Sequence, residues 1–134
     1  MGTRRKSRES ALKILYAFEI SNDPLEEVIQ AFWESFEPDQ EGREFADFLV
    51  RGTVQNLQEI DKAIIAVSIH WKLTRMACVD RNLLRMAAYE LYHMKEVPKR
   101  VTLNEAIEIA RIYGTEDSWA FINGILDRLA GDRG

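Results

Sequence analysis

Apolar residues recur every three or four positions along most of the 134-residue chain, and this spacing predicts α-helices. No alternation of apolar and polar residues, which would predict a strand, continues for more than a few positions. The apolar stripes divide the chain into about seven helices joined by short connections, without an internal repeat. The pattern therefore predicts one all-α domain that spans residues 1–134.

Residues with strong preferences for helix ends predict several of the boundaries. Asp23-Pro24 places a capping acid before a proline, which is typical of the start of a helix. We expect Asp80 to cap a later helix, which ends before Pro98. Thr102 and Glu105 have the spacing of a capping box, which predicts that the next helix begins at Thr102.

The charges are distributed unevenly along the chain. The formal net charge is −4, but residues 1–13 contain five basic residues and one acid, whereas the remainder contains 13 basic and 21 acidic residues. Because an acidic body repels polyanions at long range, we expect a polyanion to contact the basic N-terminal segment, about residues 1–10, which we interpret as an arm. The alternative is that this segment is solvated and binds nothing.

Few residues are available for catalysis or metal binding. His70 and His93 lie far apart, and neither has a second His or Cys at the spacing of a metal site. Cys78, the single cysteine, is expected to be a small core residue. Neither a Gly-rich phosphate loop nor a nucleophile elbow is present. We therefore expect a protein that is not an enzyme and has no catalytic residue, metal or cofactor.

The sequence also contains no apolar run long enough to cross a bilayer, and no signal peptide follows the basic start. A single cysteine fits a reducing compartment. These features predict a cytoplasmic protein that has no contact with membranes.

Two groups of side chains depart from the apolar stripes. Arg4 and Arg8 continue the stripe of the first helix, so we expect them either to project beyond the body or to be covered by an anionic group. Phe121 lies about 90° from the centre of the last helix's stripe, and Trp119 is displaced the other way. Each aromatic ring is expected either to pack at the edge of the core or to stack on an unpaired base.

Four segments of the chain form a specific combination, although none of them is specific alone. They are RRKSRESALKILY at 4–16, VDRNLLRMAAYEL at 79–91, VPKRVTLNEAIEIARIYGTEDS at 97–118 and FINGILDRL at 121–129. With these segments the sequence resembles the NusB family of bacterial transcription antitermination factors over nearly its whole length. The resemblance implies an all-α fold of two packed helical subdomains and a function without catalysis.

The resemblance also implies partners. NusB-like proteins pair with NusE, a small-subunit ribosomal protein, and the heterodimer binds boxA RNA in ribosomal RNA leaders. The assembly helps the RNA polymerase elongation complex to resist termination. By this resemblance, the RNA-binding residues are Arg4, Arg5, Lys6, Arg8, Tyr16, Asp117, Ser118 and Phe121.

The NusE interface and one departure from the family follow from the same resemblance. The VDRNLLR segment matches the region that meets NusE, which places Asp80 near the interface with Arg81 and Arg85 beside it. Where relatives have a polar residue and then lysine, this chain has Trp119-Ala120. Either the absence of this positive charge weakens the RNA contact, or Trp119 replaces it by stacking on a base.

Two other functions fit the sequence. A NusB-like domain is the RNA-binding N-terminal part of some ribosomal RNA cytosine methyltransferases, which this chain would match only as a fragment of a longer protein. A helical scaffold that binds only protein, with solvated arginines, is the second. The oligomeric state also stays open, because an apolar patch at residues 45–57 would serve either NusE or a homodimer formed in its absence.

Overall fold

The computed structural model describes residues 3–35, 40–69 and 72–132. Over these residues the chain forms seven α-helices, one 3-10 turn at Leu73–Arg75 and no strand, which confirms the predicted fold class. The helices are α1 (Thr3–Ser21), α2 (Leu25–Ser35), α3 (Arg43–Gln55), α4 (Leu57–Val67), α5 (Cys78–His93), α6 (Lys99–Tyr113) and α7 (Ser118–Asp132).

The helices form two groups that meet at α5. In the first group α1 packs against α2 and α3, and in the second α5 packs against α4, α6 and α7. Contacts of α1 and α3 with α5 join the groups into a continuous core, as expected for two packed helical subdomains. No helix in the described part of the chain is long and apolar enough to span a lipid bilayer.

A buried tryptophan attaches α2 to α3. Trp33 is fully buried, and its indole Nε1–H donates a hydrogen bond to Oδ1 of Asp47 at 2.8 Å. Phe32 packs edge-on against the Trp33 ring, with 5.1 Å between the ring centres. The polar atom of the largest core side chain in the first group therefore has a partner, as burial of an indole requires.

The predicted capping box at the start of α6 is wrong. α6 begins at Lys99, directly after Pro98, so Thr102 lies inside the helix. The Thr102 hydroxyl donates to Glu90 of α5 at 3.2 Å, and the Glu105 carboxylate binds Arg5 of α1. Both side chains of the apparent box are therefore occupied by residues from other helices.

The basic N-terminal segment is not an arm over the residues that the structure describes. It belongs to α1 from Thr3 onward, and Ser7, Arg8 and Ser10 are buried. The Ser7 hydroxyl donates to the backbone carbonyl of Gly42 at 2.9 Å, which fixes the segment to the start of α3. Residues 3–10 are therefore held against the body as part of α1.

α3 and α5 approach each other closely at Gly52. A Cβ atom at this position would lie 2.1 Å from Cζ of Tyr89. The Tyr89 ring in turn stacks on His93, with 5.1 Å between ring centres. The ring therefore occupies space that only glycine leaves open, whereas a Cβ atom at Gly124 in α7 would meet no heavy atom within 4 Å.

We predict that Gly52→Ala lowers the free energy of unfolding by about 1–3 kcal/mol, because Tyr89 or α3 must move to admit the methyl group. Gly124→Ala is the matched control, and it should leave stability unchanged or raise it by up to about 1 kcal/mol through helix propensity. Urea denaturation followed by circular dichroism measures both changes. Equal stability of the two variants would contradict the close approach of α3 and α5.

Candidate functional site

Arg8, one of the predicted RNA-binding residues, is buried inside the protein with 4% of its surface exposed. Its guanidinium donates two hydrogen bonds to the Glu90 carboxylate, from Nε to Oε2 at 2.7 Å and from Nη2 to Oε1 at 2.8 Å. The anionic group that covers Arg8 is therefore the protein's own Glu90. In this geometry Arg8 forms an ion pair within the protein, and its predicted RNA contact stays a prediction that would require this pair to open.

Arg5 is also paired within the protein. It donates to Glu105 from Nε at 2.6 Å and from Nη2 at 2.9 Å, and both side chains are mostly buried. The hydrogen bonds raise the pKa of the Arg5 guanidinium and lower the pKa of the Glu105 carboxyl group. Arg5 therefore joins α1 to α6, and its charge is largely neutralised where RNA was expected to bind.

Arg4 and Lys6 are the members of the predicted basic group that reach the surface. Arg4 is exposed, and its guanidinium lies over the Phe45 ring at 3.8 Å from the centre. Lys6 forms an exposed ion pair with Glu41 at 3.2 Å. Because exposed ion pairs contribute little free energy, the Lys6–Glu41 pair can be replaced by a phosphate contact at low cost. The Arg4 guanidinium uses its flat face on Phe45, so its N–H groups remain able to donate to a phosphate group.

Ser118 organises the connection between α6 and α7. It is buried, and its hydroxyl accepts a hydrogen bond from the backbone N–H of Thr115 at 2.9 Å. Asp117, the residue before it, is exposed. Of these two predicted RNA-binding residues, only Asp117 therefore presents its side chain to solvent.

A pocket of about 350 Å³ lies between the 3-10 turn, the start of α5 and the start of α7. Its lining includes Asp117 and Phe121 from the predicted RNA-binding residues and Asp80 from the predicted NusE-binding residues. The exposed Arg75 adds a positive charge to the lining. The structure therefore brings parts of the two predicted surfaces together in one pocket.

Asp80 does not cap α5, contrary to the sequence prediction. The helix begins at Cys78, and Asp80 lies in its first turn, where a negative charge is favourable near the helix N-terminus. Its Oδ1 atom is buried, and no partner for it is found among the described residues. This acceptor can take a donor from a bound molecule if a small movement of the side chain exposes it.

Arg81 and Arg85, the other predicted NusE-binding residues, are held in an ionic network. Both donate hydrogen bonds to Glu19 of α1, and Arg85 also donates to Asp61 of α4 at 2.9 and 3.0 Å. Arg81 further donates to the backbone carbonyl of Met76 at 2.7 Å. These arginines line a cleft of about 880 Å³, and their hydrogen bonds connect helices rather than extend into solvent.

Glu19 is the acceptor at the centre of this network. Hydrogen bonds from Arg81, and also from Cys78 and Asn82, lower the pKa of the Glu19 carboxyl group to about 2. The Cys78 thiol donates to Oε2 of Glu19 at 3.2 Å, and partial burial raises the pKa of the thiol. The thiol is therefore held protonated as a hydrogen-bond donor, which agrees with a packing role.

Tyr16 lies on the solvent side of α1, with 41% of its surface exposed. One turn earlier, Nζ of Lys13 lies 5.5 Å from the centre of the Tyr113 ring of α6. The Tyr113 hydroxyl donates to Glu9 at 3.0 Å. Lys13 and Tyr113 were not predicted from the sequence, because their contact depends on the packing of α6 against α1.

A second contact between a cation and an aromatic ring joins α6 to α7. The Arg111 guanidinium lies over the Trp119 ring at 4.6 Å from its centre. Arg111 was not predicted from the sequence either. The short connection between Gly114 and Ser118 could have indicated it, because it places the last turn of α6 beside the first turn of α7.

The described residues contain no group of three or more His, Cys, Asp or Glu side chains that could hold a metal ion. His93 is at the surface, where Nε2 lies 2.9 Å from Oε1 of Glu59. His70 lies outside the described residues. Around the α6–α7 connection the described surface presents cations and aromatic rings. Such a group of side chains is suited to binding a ligand rather than to catalysis.

We predict that Arg8→Ala destabilises the protein by about 3–5 kcal/mol, because it leaves the Glu90 carboxylate buried without its counter-ion. Arg4→Ala is the matched control and should change stability little. The double variant Arg8→Met/Glu90→Leu should be less destabilised than Arg8→Ala, because it removes both charges. Thermal and urea unfolding measure all three variants, and wild-type stability of Arg8→Ala would refute the structural role.

We also predict an acid-sensitive contribution from Glu19. Since its pKa is lowered from an ordinary value near 4.5 to about 2, the stabilisation is complete above pH 4.5 and is lost as the pH falls toward 2. Between pH 6 and pH 3 the wild type should lose about 1–3 kcal/mol more stability than Glu19→Gln. Glu26→Gln is the control: the hydrogen bond from Arg51 also lowers the pKa of its carboxyl group, but the pair is exposed, so this variant should change the pH dependence less than Glu19→Gln does.

The chain is similar to known proteins over nearly its whole length. The NusB family model matches residues 5–131. The transcription antitermination protein NusB of Geobacter sulfurreducens is 50% identical, with 97% of this chain and 95% of the relative covered. That of Trichlorobacter lovleyi is 49% identical, with coverages of 96% and 91%. These names describe transcription factors, which confirms the prediction that the chain is not an enzyme.

Solved structures show the same fold. The T. maritima NusB structure has a TM-score of 0.86 and 42% identity, and covers 96% of this chain and 91% of the other. A chain in the crystal structure of the antitermination factors NusB and NusE in complex with double-stranded RNA has a TM-score of 0.86 and 25% identity, with 98% of both chains covered. The chain therefore belongs to the NusB family.

Proposed function

We propose that this protein is a transcription antitermination factor that binds RNA as a heterodimer with NusE. The observation that carries the proposal is its likeness, over 98% of the chain, to a structure of NusB and NusE with RNA. We further propose that the RNA is boxA of ribosomal RNA leaders, and that the complex acts on the RNA polymerase elongation complex.

The exposed predicted residues are the ones to which we assign RNA contact. Arg4 and Lys6 supply positive charge at the start of α1, and Asp117 and Phe121 line the pocket beside α7. Tyr16 adds an exposed aromatic ring on α1. Three members of the predicted set, the mostly buried Arg5 and the buried Arg8 and Ser118, act on RNA binding only by holding the helices that carry these side chains.

The partner contact is assigned to the pocket that contains Asp80. The chain has a formal net charge of −4, so the free protein attracts RNA weakly, and a basic partner would add phosphate contacts. Arg81 and Arg85 support the interface by keeping α5 attached to α1 and α4. A carboxylate at its edge, Asp80, can accept hydrogen bonds from the partner.

One observation favours a second candidate, a helical scaffold that binds only protein. Arg5 and Arg8, two of the four cations expected to contact phosphate, are paired inside the protein. A homodimer that forms without NusE is compatible with either candidate, because Phe48 of α3 is exposed within the apolar patch predicted at 45–57. The RNA experiment below separates the candidates, and analytical ultracentrifugation tests the homodimer.

We predict that NusE increases the affinity for a short single-stranded boxA-like RNA, measured by fluorescence anisotropy. In the complex with NusE, Phe121→Ala should weaken RNA binding by about 1–3 kcal/mol with little change in salt dependence, as expected when a base stack is removed. Replacement of Arg4 and Lys6 by alanine should reduce the log–log salt slope by about 0.7 for each phosphate group that these cations neutralise. Charge reversal by Asp80→Lys should weaken NusE binding.

Ile65→Ala controls for the general effect of removing an exposed apolar side chain, and should leave RNA affinity unchanged. Circular dichroism and melting temperature verify that each variant is folded. Equal RNA affinity with and without NusE would contradict the heterodimer. An absence of RNA binding under both conditions would favour the protein-binding scaffold.

A further inference from the structure

Arg111 and Trp119 form a stacked pair at the surface where α6 ends and α7 begins. The Arg111 guanidinium lies 4.6 Å from the centre of the Trp119 ring. The connection between the helices is short and ordered by hydrogen bonds, from Gly114 N–H to the Ala110 carbonyl at 2.9 Å and from Thr115 N–H to the Ser118 hydroxyl at 2.9 Å. The ordered connection therefore keeps the end of α6 beside the start of α7, which places Arg111 next to Trp119.

The core does not require this tryptophan at the surface. Trp119 keeps 38% of its surface exposed, whereas Trp33 is fully buried with its Nε1–H bonded to Asp47. An exposed aromatic ring with a guanidinium on one face is a surface on which a further flat group can stack. The unpaired bases of RNA are such groups.

Stacking leaves the guanidinium able to bind a second group. An arginine on an aromatic ring uses its flat face, while its N–H groups point outward in the plane and remain able to donate. The ion pair that the structure shows for Arg111 is with Glu108, one turn earlier, at 3.8 Å, and both side chains are about half exposed. A contact of this length is too long for a hydrogen bond and is easily replaced by a phosphate oxygen.

Trp119 and Phe121 serve different sides of α7. Two residues apart on a helix, they point about 200° away from each other. Phe121 lines the pocket formed with the 3-10 turn and α5, whereas Trp119 contacts Arg111 of α6. A base on Trp119 therefore cannot be the base that stacks on Phe121.

We propose that Arg111 and Trp119 form a second stacking position for RNA, in which Trp119 stacks on an unpaired base and Arg111 contacts the adjacent phosphate. The inference rests on the proposed RNA-binding function and adds a residue and a contact to it. In this proposal Arg111 supplies positive charge next to Trp119-Ala120, where this sequence lacks the lysine that relatives have. Stacking accepts any base, so this position extends the bound segment rather than selects its sequence.

The test uses the full chain with NusE and a single-stranded boxA-like RNA. Trp119→Ala should weaken RNA binding by about 5- to 150-fold with little change in salt slope, because it removes a base stack. Arg111→Ala should weaken binding and reduce the salt slope by about 0.7. Arg111→Lys should keep the slope but bind more weakly than the wild type, because an ammonium group does not stack in a plane.

A second readout reports the stack directly. RNA should quench tryptophan fluorescence in the wild type, and Trp119→Phe should remove most of that quenching. Ile65→Ala and Arg100→Ala are controls, since they remove an exposed apolar side chain from α4 and an exposed arginine from α6, and both should bind RNA as the wild type does. Melting temperatures verify that the variants are folded.

Different failures are distinguishable. If the Trp119 and Arg111 variants bind RNA as the wild type does while Phe121→Ala binds weakly, this second position is wrong and the proposed function stands. If the wild type with NusE binds no RNA, both are wrong. If Trp119→Ala lowers the melting temperature, Arg111→Lys decides the question, and wild-type affinity of that variant would overturn the proposal.

Discussion

The buried ion pair between Arg8 and Glu90 is the interaction on which the arrangement of α1, α5 and α6 depends. Removing two charges from water is unfavourable unless their hydrogen bonds are replaced, and here both oxygens of Glu90 accept bonds from Arg8 while Thr102 donates one more. A sliding of α1 along α5 would leave these charges buried and unpaired. The pair therefore restricts α1 to one register more strictly than apolar packing would.

This register determines which side chains α1 presents to solvent. On either side of Arg8, Arg5 binds Glu105 and Glu9 accepts a hydrogen bond from Tyr113, so three successive contacts align α1 with α5 and α6. The basic cluster is thereby divided by the partner that each residue reaches. Arg5 and Arg8 bind carboxylates of α6 and α5 and stabilise the fold, whereas Arg4, one turn before Arg8, lies over the Phe45 ring of α3 and keeps its charge at the surface. The formal charge of residues 1–13 therefore overestimates the positive charge that is available to a polyanion at the surface.

The sequence predicted the helices well because the apolar stripe of each helix is formed by residues that are close together in the chain. It predicted the start of α6 poorly, since Thr102 and Glu105 fit a local capping pattern but are bound to Glu90 and Arg5, which are 12 and 100 residues away in the chain. The same reason left the position of Arg8 open. The sequence allowed Arg8 either to project or to be covered by an anionic group, and only the tertiary structure shows that this group is Glu90 on another helix.

The aromatic residues of α7 show where sequence reasoning about a binding surface ends. Helical periodicity indicates that Trp119 and Phe121 lie on opposite flanks of the buried stripe, but it does not identify the helix beside each flank. The structure places α6, with Arg111, on one flank, and the start of α5, with Asp80, on the other. A cation stacks on the Trp119 ring, whereas two carboxylates and the Arg75 guanidinium line the pocket beside Phe121, so the two flanks present different charged groups. A chain of RNA that crosses α7 would therefore meet a stacked arginine on the α6 side and a mixture of acceptors and one cation on the α5 side, so its contacts on the two sides must differ in kind.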